Sequence, residues 1–470
     1  MQLDHNPLAP AFFTLQEDFN RTPFLAASTR LNQLKQLQSA LKQDSQQLMA
    51  AIDQDFGGRS RQESLMADIL PCLTEIDQVC KKLKRWMRPQ RRSVEWHYQP
   101  ATAQVVYQPL GVVGIMVPWN YPLQLAISPL ISALAAGNRV LLKLSEWTPA
   151  TNAALTACLA RVFNDNQVKV ITGEKDISQA FASLPFDHLL FTGSTAVGKH
   201  IQRAAAENLT PVTLELGGKS PALLDSEIPL DKALPPLVFG KTLNAGQTCI
   251  APDYLLCPQE RLEEVVDKIQ GLFKQFYPHL VENPDYTSLI NAQHKQRLNQ
   301  LLDEVQKANC RCLALNPRQE DFSQGNKLPL TLVINPPAES RLMQEEIFGP
   351  LLPIITYSSF EEAVSFIRQR PRPLALYYLG EQEARFRYLE ENTHSGSLVM
   401  KETLLQVAQQ DLPFGGVGAS GMGSYHGREG FLTFSHAKPL FRRRWFNTAR
   451  WIYPPYGRWL HRLMEKWFLR

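Results

Sequence analysis

Between residues 112 and 191 short apolar runs alternate with amphipathic stretches, and this rhythm restricts the fold more than any other feature of the chain. Residues 112–117 read as a strand, followed by a Pro/Trp/Asn turn and a helix over about 123–136. Gly137-Asn138 stops that helix, 140–144 is the next strand, and a helix over 148–163 leads to a strand at 168–171. Residues 188–191 give another strand. Apolar strands joined by helices predict an α/β fold, with a mostly parallel sheet covered on both faces. The last strand runs into Gly193-Ser194-Thr195-Ala196-Val197-Gly198, which opens a helix where free backbone N–H groups can meet phosphate. It departs from the G-x-G-x-x-G fingerprint and fits an ordinary strand-to-helix turn as well.

With 470 residues the chain exceeds one ordinary core. Residues 23–55 and 62–87 read as helices whose apolar positions form packing faces, and no chemistry is assigned to them. Over 93–108 the period changes: Val94, Trp96 and Tyr98, then Val105 and Tyr107, alternate like strands that could form a projecting arm. A second α/β unit begins after Leu216-Gly217-Gly218-Lys219. It holds strands at 254–257, 330–334 and 351–357, with helices through 276, over 293–308 and over 361–370. Residues 397–400 are expected to return to the first unit, and the glycine-rich 413–423 to pass close to other backbone. The expected organisation is a cofactor domain (1–91 and 109–216), a catalytic domain (217–397), bridging or oligomerisation segments (92–108 and 398–437) and a tail (438–470).

That tail holds nine Lys or Arg and one Glu, a net of +8, whereas the whole chain is only +4, so the rest carries −4. From Trp459 onward, apolar Leu460, Leu463, Met464, Trp467 and Phe468 recur at helical spacing among basic residues, a composition suited to an anionic membrane surface. The same stripe fits packing on the protein itself or on a second subunit. Weak peripheral membrane contact and such packing stand as alternatives for the tail; nucleic-acid binding is not expected, since no reader module accompanies the charge. No run approaches the 18 or so apolar residues of a membrane span. The start lacks a secretory pattern, and seven cysteines at this length make no disulfide scaffold, so a reducing cytoplasm is expected. Cys310-Arg311-Cys312 has no matching second pair, and no metal site is expected.

Chemistry-bearing residues stand out against this frame. In Gly246-Gln247-Thr248-Cys249-Ile250-Ala251-Pro252 a cysteine lies among small and polar residues. It is either a small buried hydrophobe or a nucleophile toward carbonyl carbon. Asn120 lies in Pro118-Trp119-Asn120-Tyr121-Pro122, Glu215 in Leu214-Glu215-Leu216-Gly217-Gly218-Lys219, and Glu346 in Glu345-Glu346-Ile347-Phe348-Gly349-Pro350. Lys143 and Glu146 sit just past a strand end, where parallel α/β sheets bind ligands.

Together these motifs resemble the aldehyde dehydrogenase superfamily over about residues 20–440. The late Tyr425-His426-Gly427-Arg428 is similar to its short branch, which handles aromatic and fatty aldehydes and includes bacterial coniferyl aldehyde dehydrogenases. The resemblance implies a Rossmann-type cofactor domain, a catalytic domain, a small β arm and a homodimer. It implies that Cys249 attacks the aldehyde, that Asn120 with the Cys249 N–H holds the oxyanion, and that Glu215 activates water against the thioester. For NAD, with NADP use open, it implies Lys143 and Glu146 at the adenine ribose and Glu346 at the nicotinamide ribose. Phe348 would lie near the nicotinamide, and Gly193 and Ser194 near the pyrophosphate. Leu144, where Pro is common, and Tyr121, where Phe is common, depart from the family pattern. Trp119 and Tyr121 flank Asn120 and are candidates for an aromatic or long apolar substrate pocket, or for core packing. Medium- or long-chain aldehydes are the alternative substrates. A coenzyme A-acylating enzyme is disfavoured because Glu215 supplies the base that hydrolysis needs.

Overall fold

The computed structural model describes residues 5–446, 450 and 452–469. The parts of the readings of the chain's start and of the 438–470 tail that fall on residues 1–4, 447–449, 451 and 470 lie outside them. Three sheets organise the chain. The smallest is antiparallel and joins β1 (Gln90–Arg92), β2 (Ala101–Pro109) and β16 (Ser435–Arg443), with β2 in the middle.

The second sheet holds β3 (Val112–Met116), β4 (Arg139–Lys143), β5 (Val168–Ile171), β6 (His188–Gly193), β7 (Val212–Leu216) and the short β15 (Gly421–Met422). Their order is β15-β7-β6-β3-β4-β5, parallel except for β15. The chain winds outward from β3 to β5 and then crosses to β6, so the order reverses between β3 and β6. At such a switch point adjacent loops diverge and leave a crevice at the carboxyl ends of the strands. Asn120, Lys143, Gly193 and Glu215 all lie at or just past those ends.

Both faces of this sheet are covered, as its apolar strands require. Helix Gln124–Ala136 is buried along its whole length, which suits its almost uniformly apolar composition. The buried Arg30 guanidinium closes its far end, donating to the carbonyls of Ala135 at 2.9 Å and Ala136 at 2.6 Å. On the opposite face Phe12 and Leu15 of helix Ala9–Arg21, a helix the sequence reading left unassigned, pack with Phe181, Phe186 and Phe191.

The third sheet holds β8 (Pro221–Leu224), β9 (Tyr254–Pro258), β10 (Arg311–Ala314), β11 (Thr331–Ile334), β12 (Leu351–Tyr357), β13 (Ala375–Leu379) and β14 (Ser397–Met400). Their order is β10-β11-β12-β9-β8-β13-β14, parallel except for β10. The fold is therefore the expected α/β architecture, with a Rossmann-type sheet, a second α/β unit and a small β arm.

Several local expectations are corrected. Residues 397–400 do not return to the first unit; they pair with β13 at the edge of the third sheet. Trp96–Tyr98 is a single 3₁₀ turn rather than a strand. The helix expected over 62–87 is interrupted by a π-helical turn at Leu65–Ile69. The basic run from Lys438 to Arg443 belongs to β16, so the separate tail begins after it. Helix Trp459–Phe468 then forms as its spacing predicts, with the Trp467 ring 6.2 Å from Trp96. No helix among the described residues is long and apolar enough to cross a membrane.

Candidate active site

Cys249 and Glu346 precede β9 and β12, so the amino ends of the third sheet meet the carboxyl ends of the second. The cysteine is delivered by an unusual turn. Helix Leu230–Thr242 ends in Leu243–Gly246, where Asn244 and Ala245 both have φ of 52° and Gly246 has φ of 75°. Consecutive left-handed residues reverse the chain sharply, at a cost that surrounding contacts must offset. Gly246 is required: a Cβ there would lie 2.6 Å from the Gly349 carbonyl oxygen. The contacts are present. Gln247 Nε2 donates to the carbonyls of Asn244 at 3.0 Å and Ser288 at 3.1 Å, and Gln247 Oε1 accepts from Ile290 N–H at 3.0 Å. On either side of the cysteine, the Tyr121 hydroxyl meets Thr248 Oγ1 at 2.6 Å and the Tyr377 hydroxyl donates to Ile250 O at 2.5 Å.

Cys249 is half-buried and free. Burial pushes its thiol up to about 12, and the charges of Glu346 and Glu215 push the same way. Those two carboxylates are thus close enough for their charges to reach the sulfur. Glu215 is buried and neither carboxylate oxygen has a hydrogen-bond partner. Desolvation holds its carboxyl well above the usual range. Strand pairing fixes its backbone, since Glu215 lies opposite Thr192 of β6 and Gly421 of β15. Asn120 is buried as well: Nδ2 donates to the Gln247 carbonyl at 3.1 Å, while Oδ1 has no partner. The bond to residue 247 ties the Asn120 amide to the cysteine turn.

The residues expected at a cofactor lie along one rim. Lys143, buried at the end of β4, pairs with the more exposed Glu146 at 3.1 Å. Gly193 ends β6, and Ser194 caps helix Thr195–Ala206, its hydroxyl accepting from Val197 N–H at 3.4 Å. Glu346 is half-buried, with its Oε1 buried and unpartnered; desolvation, then the neighbouring Asp253, raise its carboxyl to about 8. Thr192 Oγ1, one residue before Gly193, is also buried and unpartnered. Unsatisfied polar atoms along the end of a parallel sheet are what a dinucleotide would satisfy, so the residues present fit NAD(P).

Two groups escaped the sequence reading. One clamps the segment that carries Glu346 and Phe348. Lys219 Nζ donates to the carbonyls of Leu342 at 2.8 Å and Glu345 at 2.9 Å and pairs with Asp253, whose Oδ1 accepts from Ile347 N–H at 2.9 Å. Arg297 donates to the carbonyls of Glu346 and Ile347, and His294 Nε2 meets Phe348 O at 2.7 Å. Phe348, at φ 52°, is held in a conformation it would not choose alone. The other group lies on residues 59–68. A buried charge on an amphipathic stretch leaves no mark in spacing, so only the left-handed Asn-Ala-Gly run was detectable as a turn signal.

Trp119 lies half-buried among Phe348 (5.4 Å), Trp147 (5.6 Å) and His294 (5.6 Å), on the rim where Glu146 and Phe348 stand. Tyr121 is buried, its ring 4.9 Å from the Arg59 guanidinium.

A Rossmann-type sheet facing a second α/β unit, with a cysteine, a bare glutamate and a second, partly satisfied one between them, defines an oxidoreductase that handles carbonyl carbon. The chain belongs to the aldehyde dehydrogenase family, whose model matches residues 13–440, and it is an NAD(P)-dependent aldehyde dehydrogenase acting on an aldehyde substrate. Among relatives, a protein of Pseudomonas aeruginosa described as a probable coniferyl aldehyde dehydrogenase is 52% identical, over 100% of this chain and 98% of its own. The substrate-bound structure of Staphylococcus aureus AldH superposes with a TM-score of 0.93 at 36% identity, covering 99% of this chain and 100% of that one. A Mycobacterium tuberculosis aldehyde dehydrogenase complexed with NAD+ gives a TM-score of 0.84 at 26% identity, over 93% and 89%.

Proposed function

We propose that this enzyme oxidises aromatic aldehydes of the coniferyl class to their acids, with Cys249, Glu215 and Asn120 carrying the chemistry. One observation bears most of the weight: Glu215 is buried with both oxygens bare, close enough for its charge to reach the thiol. A carboxylate without hydrogen bonds in the interior is costly, and its retention suits a base kept for water. The Cys249 thiol gives up its proton to solvent, its sulfur bonds to the aldehyde carbon, and the carbonyl electron pair moves to oxygen, where the Asn120 amide and the Cys249 N–H hold it. Such a donor is worth about 3 kcal/mol at an oxyanion. NAD(P), when bound, supplies the acceptor for the aldehyde's hydride. The acyl group stays on Cys249 as a thioester. Glu215 then takes a proton from water as its oxygen attacks that carbon, the acid leaves, and the sulfur is restored.

Around this centre, Lys143 and Glu146 hold the adenine ribose, Gly193 and Ser194 the pyrophosphate, and Glu346 the nicotinamide ribose, with Phe348 beside it. The Lys143 ammonium is already matched by Glu146, and a carboxylate there repels a 2′-phosphate, so NAD is favoured over NADP. Trp119 shapes the rim through its ring, and Tyr121 acts through its hydroxyl on Thr248. The coniferyl class is supported by the name of the Pseudomonas aeruginosa relative.

The enzyme is proposed to be a homodimer of the reducing cytoplasm, in keeping with seven free cysteines. Weak contact with an anionic membrane is supported by helix Trp459–Phe468, where Trp459 is 74% and Trp467 70% exposed. Vesicle co-sedimentation should compare the full chain with one ending at Arg444, because a cut at Leu440 would sever β16. Equal pelleting of the two would refute the contact.

The central test is NAD reduction with coniferyl aldehyde and benzaldehydes against saturated aldehydes of six to sixteen carbons, each repeated with NADP. An aromatic preference in kcat/KM of tenfold or more is expected. A preference for long saturated chains would replace the aromatic reading.

A further inference from the structure

Residues 59–68 lie outside every motif named above; 62–68 belong to a stretch whose sequence suggested packing alone, and 59–61 to the gap before it. The structure directs three of its charged side chains at the reaction centre. Arg59 is fully buried and forked: Nη2 pairs with Asp68 Oδ2 at 2.9 Å, and Nη1 donates to the Asn120 carbonyl at 2.8 Å. Its guanidinium lies between the rings of Phe56, at 4.8 Å, and Tyr121, at 4.9 Å. The other carboxylate oxygen of Asp68 accepts from the N–H groups of Leu123 and Gln124, each at 3.2 Å, where helix Gln124–Ala136 begins. Asp68 is aimed there from the π-helical turn Leu65–Ile69, a kind of irregularity that recurs at functional sites. Glu63 supports the other side: Oε2 accepts from Thr287 Oγ1 at 2.6 Å and from Asn244 N–H at 3.1 Å, within the left-handed turn before the cysteine. The Asn244 side chain links the two sides, donating to the carbonyls of Asn120 at 2.9 Å and Gln247 at 3.2 Å.

We propose that the buried Arg59–Asp68 pair is a positioning device for the reaction: it fixes Asn120 from below, so that the side-chain amide points where negative charge develops. The inference rests on the oxyanion role proposed for Asn120. A buried ion pair is poor value for stability alone, since apolar residues of similar volume often do as well. Here one arm of the guanidinium neutralises an acid while the other grips a neutral carbonyl belonging to Asn120 itself, and only a forked donor does both. Arg59 and Asp68 together hold residue 120 and the two residues three and four places on. Misplacing a reacting group by about 1 Å can cost ~10²-fold in rate.

Three variants and one combination test this: Arg59→Lys, which keeps the charge but not the fork; Arg59→Met/Asp68→Leu, which removes both charges together; Asn120→Ala; and the last two combined. Aldehyde-dependent kcat and KM, melting temperature and NADH affinity by fluorescence are measured for each. Arg59→Lys should lower kcat by about three- to tenfold and the charge-free pair by about 10²-fold, with NADH affinity changed less than twofold. In the Asn120→Ala background the charge-free pair should cost less than about threefold, because residues acting as a unit are not additive. A normal kcat in Arg59→Lys or in the charge-free pair, or the same loss with and without Asn120, would overturn the inference. Arg59→Lys decides alone if the charge-free pair does not fold. Wild-type activity in Asn120→Ala is a different outcome: it removes the oxyanion reading and this inference with it.

Discussion

The Glu346 carboxylate lies directly on the Cα of Gly217, so closely that a methyl group at residue 217 would overlap both of its oxygens. The contact joins the loop after β7 to the segment before β12, and hence one α/β unit to the other. Backbone strain is not the reason for glycine here; bulk is. Gly217→Ala should push the carboxylate out of place and raise the KM for NAD at least tenfold, about 1.4 kcal/mol, while the melting temperature falls by only a few degrees. Glu346→Gln should show a similar cofactor defect. Unchanged cofactor kinetics in Gly217→Ala would mean that Glu346 does not hold the ribose.

Glu215 and Cys249 divide the reaction in time, which makes their variants distinguishable. Cys249→Ala should bind NADH and form no acid. Glu215→Gln keeps the nucleophile, so it should form the thioester once and stop. Stopped-flow absorbance should show a burst of up to one NADH per active site, followed by a steady rate lower by about 10²- to 10⁴-fold. Intact-mass spectrometry should find the acyl adduct on Cys249. A variant that turns over normally would remove Glu215 from deacylation.

The sequence made most of the parallel sheet legible because β3, β4 and β6 are built on short apolar runs, and β3 to β6 lie close to where the pattern put them; β7, broken by Thr213 and Glu215, carried no such signal. The motif residues were legible too, since Asn120, Glu215 and Cys249 are polar or reactive groups in settings that packing alone would not select. Partnerships were not legible. Nothing in the spacing of Arg59, Glu63 and Asp68 reveals that all three turn inward, because neither a helix entry nor the helical turns after it show which of their charges are buried. Residues 397–400 were misassigned for a related reason: a four-residue apolar run has no marker of which sheet it joins, and pairing with β13 is a long-range choice. Trp96 and Tyr98 alternate like strand residues, yet the chain curls there into a 3₁₀ turn.

The thiol of Cys249 offers a direct reading of its surroundings. Burial, then Glu346, then Glu215 raise it to about 12, so in the protein without cofactor its alkylation by iodoacetamide should still be accelerating at about pH 10. Neutralising a nearby negative charge favours the thiolate. Glu346→Gln should therefore move the alkylation profile to lower pH and Glu215→Gln should move it by less. Profiles that coincide in all three proteins would show that neither acid faces the sulfur.

Glu75 links the fold to pH away from the reaction. It is buried in helix Leu70–Trp86 with Oε1 unpartnered, and desolvation raises its carboxyl to about 8, against which the Ser128 hydroxyl acts only in part. The folded chain therefore keeps this proton where the unfolded chain, titrating at the ordinary 4.5, has lost it. Uptake of protons by the folded state favours folding, so the stability contributed is complete below about pH 4.5 and is lost as the pH climbs toward 8, at up to about 1.4 kcal/mol per pH unit. Glu346, at about 8, and Glu63, at about 7, act in the same direction. The melting temperature should accordingly fall between about pH 5 and 8, and Glu75→Gln, which carries no titrating proton, should fall less steeply while gaining most at the alkaline end. Parallel curves for the two proteins would show that Glu75 titrates alike in the folded and unfolded chains, and hence that the space between helices Leu70–Trp86 and Gln124–Ala136 admits water.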